Sequence, residues 1–149
     1  SVLVAGYAVY QGQRVFQALA DRMQERGDLK VRMFLDIQRK HGDTSAASEL
    51  VARFAQRFRA SQWPSGRPLP EVYYDPRSLA TDPKDCAALH AKCIVVDGFE
   101  IFVSSANFTE AAQHKNIEVG LRLRSPVIAE RIVRFFDSLV QASRLDRLI

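Results

Sequence analysis

Residues 89–110, with the sequence LHAKCIVVDGFEIFVSSANFTE, decide how this chain folds. Two short apolar runs, CIVV and FEIFV, flank the dipeptide Asp97-Gly98. An Asp-Gly pair in that setting predicts a β-hairpin with a type I′ turn, because this turn requires positive φ angles at both central residues. We therefore expect two antiparallel strands, with Asp97 as a turn-forming residue rather than a reactive group.

Polar side chains are expected to converge on one face of this hairpin. A two-residue turn would place His90 opposite Ser105, close enough for the two side chains to touch. Because side chains alternate along a strand, Lys92 and Asn107 then lie on the same face, and Ser104 points away from it. The opposite face, suited to packing under a helix, would carry Ala91, Cys93, Val95, Phe102 and Ala106.

The convergent polar residues suit the binding of a tetrahedral anion. Lys92 supplies a positive charge, while Ser105 and Asn107 supply hydrogen-bond donors. His90 supplies a nitrogen that can attack phosphorus or carry a proton. A polar strand face open to water is the alternative for any two of these residues, and it is less favoured for four that converge.

Two other kinds of site fit the pattern less well. A zinc site at Cys86, His90 and Cys93 is disfavoured because strand alternation puts the last two on opposite faces. A Ser–His hydrolase would need a nucleophile elbow such as G-x-S-x-G, and none surrounds Ser104 or Ser105. The anion site is therefore the favoured interpretation of the hairpin.

The whole sequence predicts one α/β domain over residues 1–149. Apolar, β-branched runs at 2–9 and 31–37 predict buried strands, and the helical pattern at 14–27 between them implies a right-handed βαβ unit in a parallel sheet. Further predicted elements are helix 47–61, strand 71–74, strand 117–123 and helix 125–140. The last begins with Ser125 as N-cap and Pro126 as first residue. Its apolar stripe comprises Ile128, Ile132, Phe135, Phe136 and Leu139.

Charge and cysteine content narrow the function classes. An excess of 21 Lys and Arg over 17 Asp and Glu gives a net charge of +4, which favours anionic partners such as nucleic acid or acidic lipid. Three arginines are either contacts for a phosphate backbone or ordinary solvated charges: Arg53, Arg57 and Arg77.

Cys86 and Cys93 are too few for a disulfide framework, which favours a reducing, cytoplasmic setting. No apolar run approaches the roughly 18 residues of a membrane span.

The spacing of the polar residues resembles the signature of the phospholipase D superfamily. His90-x-Lys92, four residues, Asp97, six residues and Ser104-Ser105-x-Asn107 match H-x-K-x4-D-x6-G-S-x-N, except for serine at position 104 where the family usually has glycine. Glu118 falls where the family usually has an acidic residue that steadies the histidine. The resemblance extends over nearly all 149 residues. It implies the superfamily's α-β-α sandwich, a central mixed sheet flanked by helices.

The resemblance also implies a two-step phosphodiester mechanism without metal or other cofactor. His90 would attack phosphorus to form a phosphohistidine, and a second histidine would protonate the leaving group and later activate water. Lys92 and Asn107 would hold phosphoryl oxygens. Ser105 would donate to one of them or orient the site, and Glu118 would support a histidine. The family uses two motif copies per site and this chain carries one. The resemblance therefore implies a homodimer that shares the site, a second copy in sequence before residue 1, or a subunit of a larger assembly.

Substrate and context follow from the same resemblance. Small one-motif members of the superfamily resemble nucleases, which together with the positive charge favours nucleic acid, DNA above all, as the partner. The segments AGYAVYQG, VRMFLDIQR and LPEVYYDPRSL further resemble the phospholipase D-like component of the bacterial DISARM anti-phage system, which would add other defence subunits as partners. The alternatives are an interaction module with little or no catalysis and a phospholipase.

Overall fold

The fold is built around a mixed β-sheet. The computed structural model describes residues 1–109, 112 and 114–149. The elements in chain order are β1 (Val2–Gly6), β2 (Val9–Tyr10), α1 (Gly12–Val15), α2 (Gln17–Glu25), β3 (Val31–Leu35), α3 (Ala47–Arg57), a π-helical turn (Phe58–Gln62), β4 (Glu71–Tyr74), a 3₁₀ turn (Pro76–Leu79), β5 (Cys93–Val96), β6 (Glu100–Ser104), β7 (Phe108–Thr109), β8 (Gly120–Arg124), α4 (Pro126–Gln141) and β9 (Asp146–Arg147). Seven strands form one sheet in the order β8-β6-β5-β1-β3-β4-β9, and β2 pairs separately with β7.

The first half of the chain forms the parallel part of the large sheet, as predicted. β1 pairs with β3 and β3 pairs with β4, all in parallel. Of these strands, β1 and β3 are buried on both faces, which explains their nearly continuous apolar sequences. The predicted helix 14–27 is divided into α1 and α2, which meet at Phe16. The predicted helix 47–61 ends in the wider turn Phe58–Gln62.

Two helical layers cover the two faces of the sheet. On one face, Phe136 of α4 packs in a cluster with Phe34 and Val95. On the other face, Phe16 and Met23 pack with the sheet around Met33. The structure therefore confirms the predicted α-β-α sandwich with a central mixed sheet.

Helix α4 begins as predicted but is less buried than predicted. The Ser125 hydroxyl accepts a hydrogen bond from the Ile128 amide at 3.3 Å, and Pro126 occupies the first helical turn. Of the predicted inward stripe, Ile128 is 45% exposed and Phe135 is 57% exposed. The apolar stripe is thus wider than the sheet surface beneath it. No helix in the described part of the chain has the length and apolar character needed to cross a membrane.

The hairpin forms with the predicted turn but in another register. Asp97 and Gly98 have φ angles of 49° and 63°, as a type I′ turn requires. Phe99 is nevertheless an extra loop residue, because Val96 pairs with Glu100. The prediction that His90 faces Ser105 was therefore wrong, since the pairing of the two strands is shifted by one residue.

Core packing explains this register. It places Val95 opposite Ile101, and both side chains lie in the cluster beneath α4 with at most 2% of their surface exposed. The predicted pairing of Ile94 with Ile101 would have moved Ile101 to the other face, because a one-residue slip reverses the direction of every side chain. The predicted strand 117–123 likewise starts later, at Gly120.

We expect Gly98→Ala to destabilise the fold by roughly 1–2 kcal/mol, because a side chain at φ +63° is strained even though nothing lies within 4 Å. The measurement is urea unfolding of both proteins at one temperature. Gly27→Ala is the matched control, since Gly27 also has open space around it but no positive φ. Equal losses in the two variants would contradict the turn geometry.

Candidate active site

The side chains of the polar motif gather at one end of the sheet, around the segment that enters β5. Lys92 Nζ lies 3.4 Å from both ring nitrogens of His90 and donates to the His90 carbonyl at 3.1 Å. The His90 side chain is exposed and Lys92 is half-buried. A histidine next to a fixed ammonium group can act as a nucleophile toward an anion that the ammonium holds.

Tyr7 supports this pair, and the sequence analysis missed it. Its ring centroid lies 4.6 Å from that of His90, and Lys92 Nζ lies 5.4 Å above the Tyr7 ring. The second contact is a cation–π interaction, which restrains the position of the ammonium group. Tyr7 follows β1 directly, and β1 pairs with β5. An aromatic residue at the end of a buried strand was the only available signal.

The shifted register changes which residue faces Lys92. Ser104 lies opposite Lys92, and its amide donates to the Lys92 carbonyl at 3.1 Å, whereas the predicted register put Ser105 opposite His90. The Ser104 hydroxyl donates to the Val119 carbonyl at 3.3 Å and accepts from the Ala106 amide at 3.0 Å. The prediction that Ser104 points away from the motif face was therefore wrong. A groove beside Lys92 is lined by Phe102, Ala106, Asn107 and Glu118 among other residues. Phe102 and Ala106 therefore lie on the side of Lys92, and the prediction that they lie on the opposite face was wrong.

Ser105 and Glu118 form the second half of the site. The Ser105 hydroxyl donates to Glu118 Oε2 at 2.5 Å, and Asn116 donates to Glu118 Oε1 at 3.2 Å. These bonds, with a smaller effect of the Lys92 charge, hold the pKa of Glu118 below its usual value. Glu118 is thus an anion near neutral pH. Among the hydrogen bonds of the described residues, its partners are Ser105 and Asn116 rather than His90.

Asn107 brings an amide with unused bonding capacity to the same groove. Its Oδ1 atom is buried and has no hydrogen-bond partner within the described part of the chain. Asn107 and Lys92 both line this groove, together with Glu118. A buried amide oxygen without a partner is unfavourable by itself, so the place of Asn107 beside the motif suits a group that binds a polar ligand.

A small separate sheet fixes the loop of Asn107 to the loop of Tyr7. β2 pairs with β7 in parallel, and the Phe108 amide donates to the Ala8 carbonyl at 3.0 Å. The Phe108 ring packs so closely on Gly6 that a Cβ atom there would lie 2.4 Å from the ring. A larger residue at the end of β1 would therefore have to displace the Phe108 ring that packs between the two loops.

The remaining predicted residues lie apart from these contacts. Asp97 is in the hairpin turn, where its Oδ1 accepts from the Ser1 amino group at 2.5 Å. Arg53 bonds to Ser45 and Glu49.

The other two arginines are also engaged within the chain. Arg57 lies over the ring of Phe54, 5.2 Å from its centroid. Arg77 forms two bonds to the buried Asp75 carboxylate. A role for Arg53, Arg57 and Arg77 in binding nucleic acid stays a prediction. Among the residues that the structure describes, no three His, Cys, Asp or Glu side chains are grouped to hold a metal ion.

Comparisons with known proteins agree with the fold of this chain. A family model described as "Cardiolipin synthase, PLD-like domain" matches residues 1–140. No curated protein is similar enough to count as a match. Among solved structures, the phospholipase D family member Nuc from Salmonella typhimurium is 20% identical, with a TM-score of 0.58 over 98% of this chain and 80% of that one.

Two further solved structures share the fold. NucT from Helicobacter pylori is 16% identical, with a TM-score of 0.58 over 94% of this chain and 78% of its own. Phosphatidylserine synthase from Haemophilus influenzae is 14% identical, with a TM-score of 0.57 over 98% of this chain and 33% of its own. At these identities the likeness concerns the fold.

We expect Ser105→Ala to raise the pKa of Glu118 toward that of an ordinary glutamate, because its strongest hydrogen-bond donor is lost. A lowered carboxyl pKa stabilises the folded chain above the unfolded pKa, and this contribution is lost as pH falls through the folded pKa. The variant should therefore lose less stability than the wild type on acidification. Carbon-detected NMR titration of the Glu118 carboxyl checks the shift.

Ser104→Ala is the control for this titration, because the Ser104 hydroxyl bonds to Val119 and Ala106 instead of Glu118. The same Glu118 titration curve in wild type and Ser105→Ala would contradict the assigned bond.

Proposed function

This chain belongs to the phospholipase D-like domain family, and on that premise we propose that it is a metal-independent nuclease that acts through a phosphohistidine intermediate. The observation that carries the proposal is the exposed His90 imidazole with the Lys92 ammonium 3.4 Å away. One group can attack phosphorus while the other neutralises the phosphodiester charge. Asn107, which lines the same groove as Lys92, adds amide donors to an anion site of this kind, and Ser105 orients the site through its hydrogen bond to Glu118.

The proposed reaction proceeds in two displacements at phosphorus. In the first, a His90 ring nitrogen forms a bond to phosphorus while the bond from phosphorus to the leaving oxygen breaks, and a second histidine gives that oxygen its proton. In the second, this histidine takes a proton from water, the water oxygen bonds to phosphorus, and the bond to His90 breaks. Lys92 stabilises the phosphoryl oxygens in both steps.

We propose that the second histidine comes from another copy of the chain. Within the described residues, His41 lies in an exposed loop and His114 is exposed as well, and neither begins an H-x-K sequence. The residues next to Glu118 support a homodimer, because Ile117 is 100% exposed and Val119 is 78% exposed. Exposed apolar side chains on both sides of a functional carboxylate are typical of a surface that a partner covers.

Nucleic acid is the proposed substrate because the chain carries a net charge of +4. Two structural neighbours bear the names Nuc and NucT, which supports the same choice. Anti-phage defence is the proposed context, on the resemblance of the three non-catalytic segments. The test of that context is whether cells that express the wild type, but not His90→Ala, resist phage infection.

A phospholipid is the second candidate substrate, and one observation favours it. The groove beside Lys92 and Asn107 is largely apolar, with Leu19, Phe102 and Phe108 in its walls. Such a groove could hold an acyl chain or another apolar substituent of a phosphodiester. Hydrolysis of phosphatidylglycerol vesicles without cleavage of DNA would favour this candidate.

We expect His90→Ala to lower the rate of DNA cleavage at least about a thousandfold, because the nucleophile is removed. Cleavage of single- and double-stranded DNA in excess EDTA is the measurement, and wild-type activity should survive the chelator. His41→Ala is the matched control and should retain activity, because His41 lies in an exposed loop. Full activity in folded His90→Ala would refute the mechanism.

We expect Ile117→Glu to convert a dimer to monomers and to remove most of the activity without loss of helical content. A buried charge would oppose association, because its desolvation is unfavourable. Light scattering after gel filtration gives the mass, and circular dichroism checks the fold. Val127→Glu is the control, since Val127 is also exposed, at 62%, but lies in the first turn of α4. A fully active wild-type monomer would exclude the shared site.

A further inference from the structure

A buried carboxylate lies directly behind the catalytic segment. Asp36 follows the last residue of β3 and has only 7% of its surface exposed. Its Oδ1 atom accepts a hydrogen bond from the Leu89 amide at 2.9 Å. Leu89 is itself buried in the core cluster beneath α4 and immediately precedes His90. The carboxylate is therefore attached to the last fixed residue before the proposed nucleophile.

The other oxygen of this carboxylate lacks a comparable contact. Asp36 Oδ2 is buried and has no hydrogen-bond partner within the described part of the chain. Burial raises the pKa of Asp36, whereas the hydrogen bond from the Leu89 amide and a contact with the Gln38 side chain, outside hydrogen-bond geometry, oppose this shift. The negative charge of Asp75 adds to the effect of burial. Asp75 is held in place by its ion pair with Arg77. A half-satisfied buried carboxylate is unfavourable for stability, so the core gains little from having one here.

An apolar residue at position 36 would avoid the unfavourable desolvation of a carboxylate. It would, however, leave the buried Leu89 amide without a hydrogen-bond acceptor. An oxygen acceptor at position 36 satisfies this amide and so fixes the backbone position of Leu89. His90 lies outside the strands, and the backbone is next bonded to the sheet at Lys92, whose carbonyl accepts from the Ser104 amide at 3.1 Å. Among the described backbone–backbone bonds none involves His90, so its position depends on the anchored residues on either side, Leu89 and Lys92.

We propose that Asp36 is a positioning residue, which holds the Leu89 backbone and so sets the location of His90 relative to the phosphate-binding groups. Its effect on turnover rests on the proposed function, whereas its effect on the geometry does not. The acceptor oxygen, rather than the negative charge, is the working part. Asparagine at position 36 should therefore keep the Leu89 backbone and His90 in place, whereas alanine should not.

The first test is kinetic and uses bis(4-nitrophenyl) phosphate as a simple phosphodiester. Asp36→Ala should lower kcat by about 10- to 100-fold with little change in KM, because a displacement of the nucleophile by about 1 Å has an effect of this size. Asp36→Asn should stay within about threefold of the wild type. Asp28→Ala is the control, because Asp28 is exposed and pairs only with the nearby Arg26 among its described contacts.

The second test does not depend on activity. Amide hydrogen exchange of Leu89, measured by NMR, should be slow in the wild type and in Asp36→Asn, and fast in Asp36→Ala, with displaced ring resonances of His90 in the alanine variant only. If Asp36→Ala fails to fold, the comparison of wild type with Asp36→Asn still decides, since both must protect Leu89.

The outcomes separate this proposal from the proposed function. A wild type that turns over while Asp36→Ala keeps its kcat overturns the positioning role and leaves the nuclease assignment intact. An inactive wild type with a protected Leu89 amide overturns the function and supports the positioning role. An unprotected Leu89 amide in the wild type, or an equal loss of kcat in the asparagine and alanine variants, overturns the proposal.

Discussion

The antiparallel pairing of β5 with β1 determines where the reactive side chains lie. Cys93 pairs with Ala5, so the residues that precede β5 must pass the residues that follow β1. This passage brings His90 against Tyr7. Because β3 runs parallel to β1 on its other side, the chain also leaves β3 at the same end of the sheet, at Asp36. The order of three adjacent strands, more than the conformation of any loop, assembles the site.

Local features could be predicted from the sequence, and features that depend on tertiary packing could not. The turn at Asp97 and the cap at Ser125 are chemical preferences of a few neighbouring residues, and both appear in the structure. The register of the hairpin depends on the burial of Ile101 beneath α4, which no local pattern reveals. The contact of Tyr7 with His90 likewise requires the pairing of strands far apart in sequence. The motif spacing predicted which residues form the site, but the predicted register did not place Ser104 opposite Lys92.

The pKa values of the two carboxylates of this region are shifted in opposite directions. Glu118 is hydrogen-bonded and near Lys92, which lowers its pKa, whereas burial raises that of Asp36. An anionic Glu118 would repel a phosphodiester unless a cation lay between them. In the proposed dimer a protonated histidine from the second copy would fill that position, which suits its role as a proton donor. Under the proposed mechanism, the carboxylate would favour the charged form of the histidine that acts as the acid in the first step.

The two-stranded sheet of β2 and β7 gives the site a property that single substitutions would not reveal. The ring of Tyr7 and the amide of Asn107 belong to separate loops, yet Phe108, seated on Gly6, joins these loops through backbone bonds. Neither loop can move alone without the loss of that packing. Changes at the two residues should therefore be thermodynamically coupled, with a combined effect that differs from the sum of the separate ones. A substitution that displaces the loop of Asn107 is therefore expected to displace Tyr7, and with it the ring against His90.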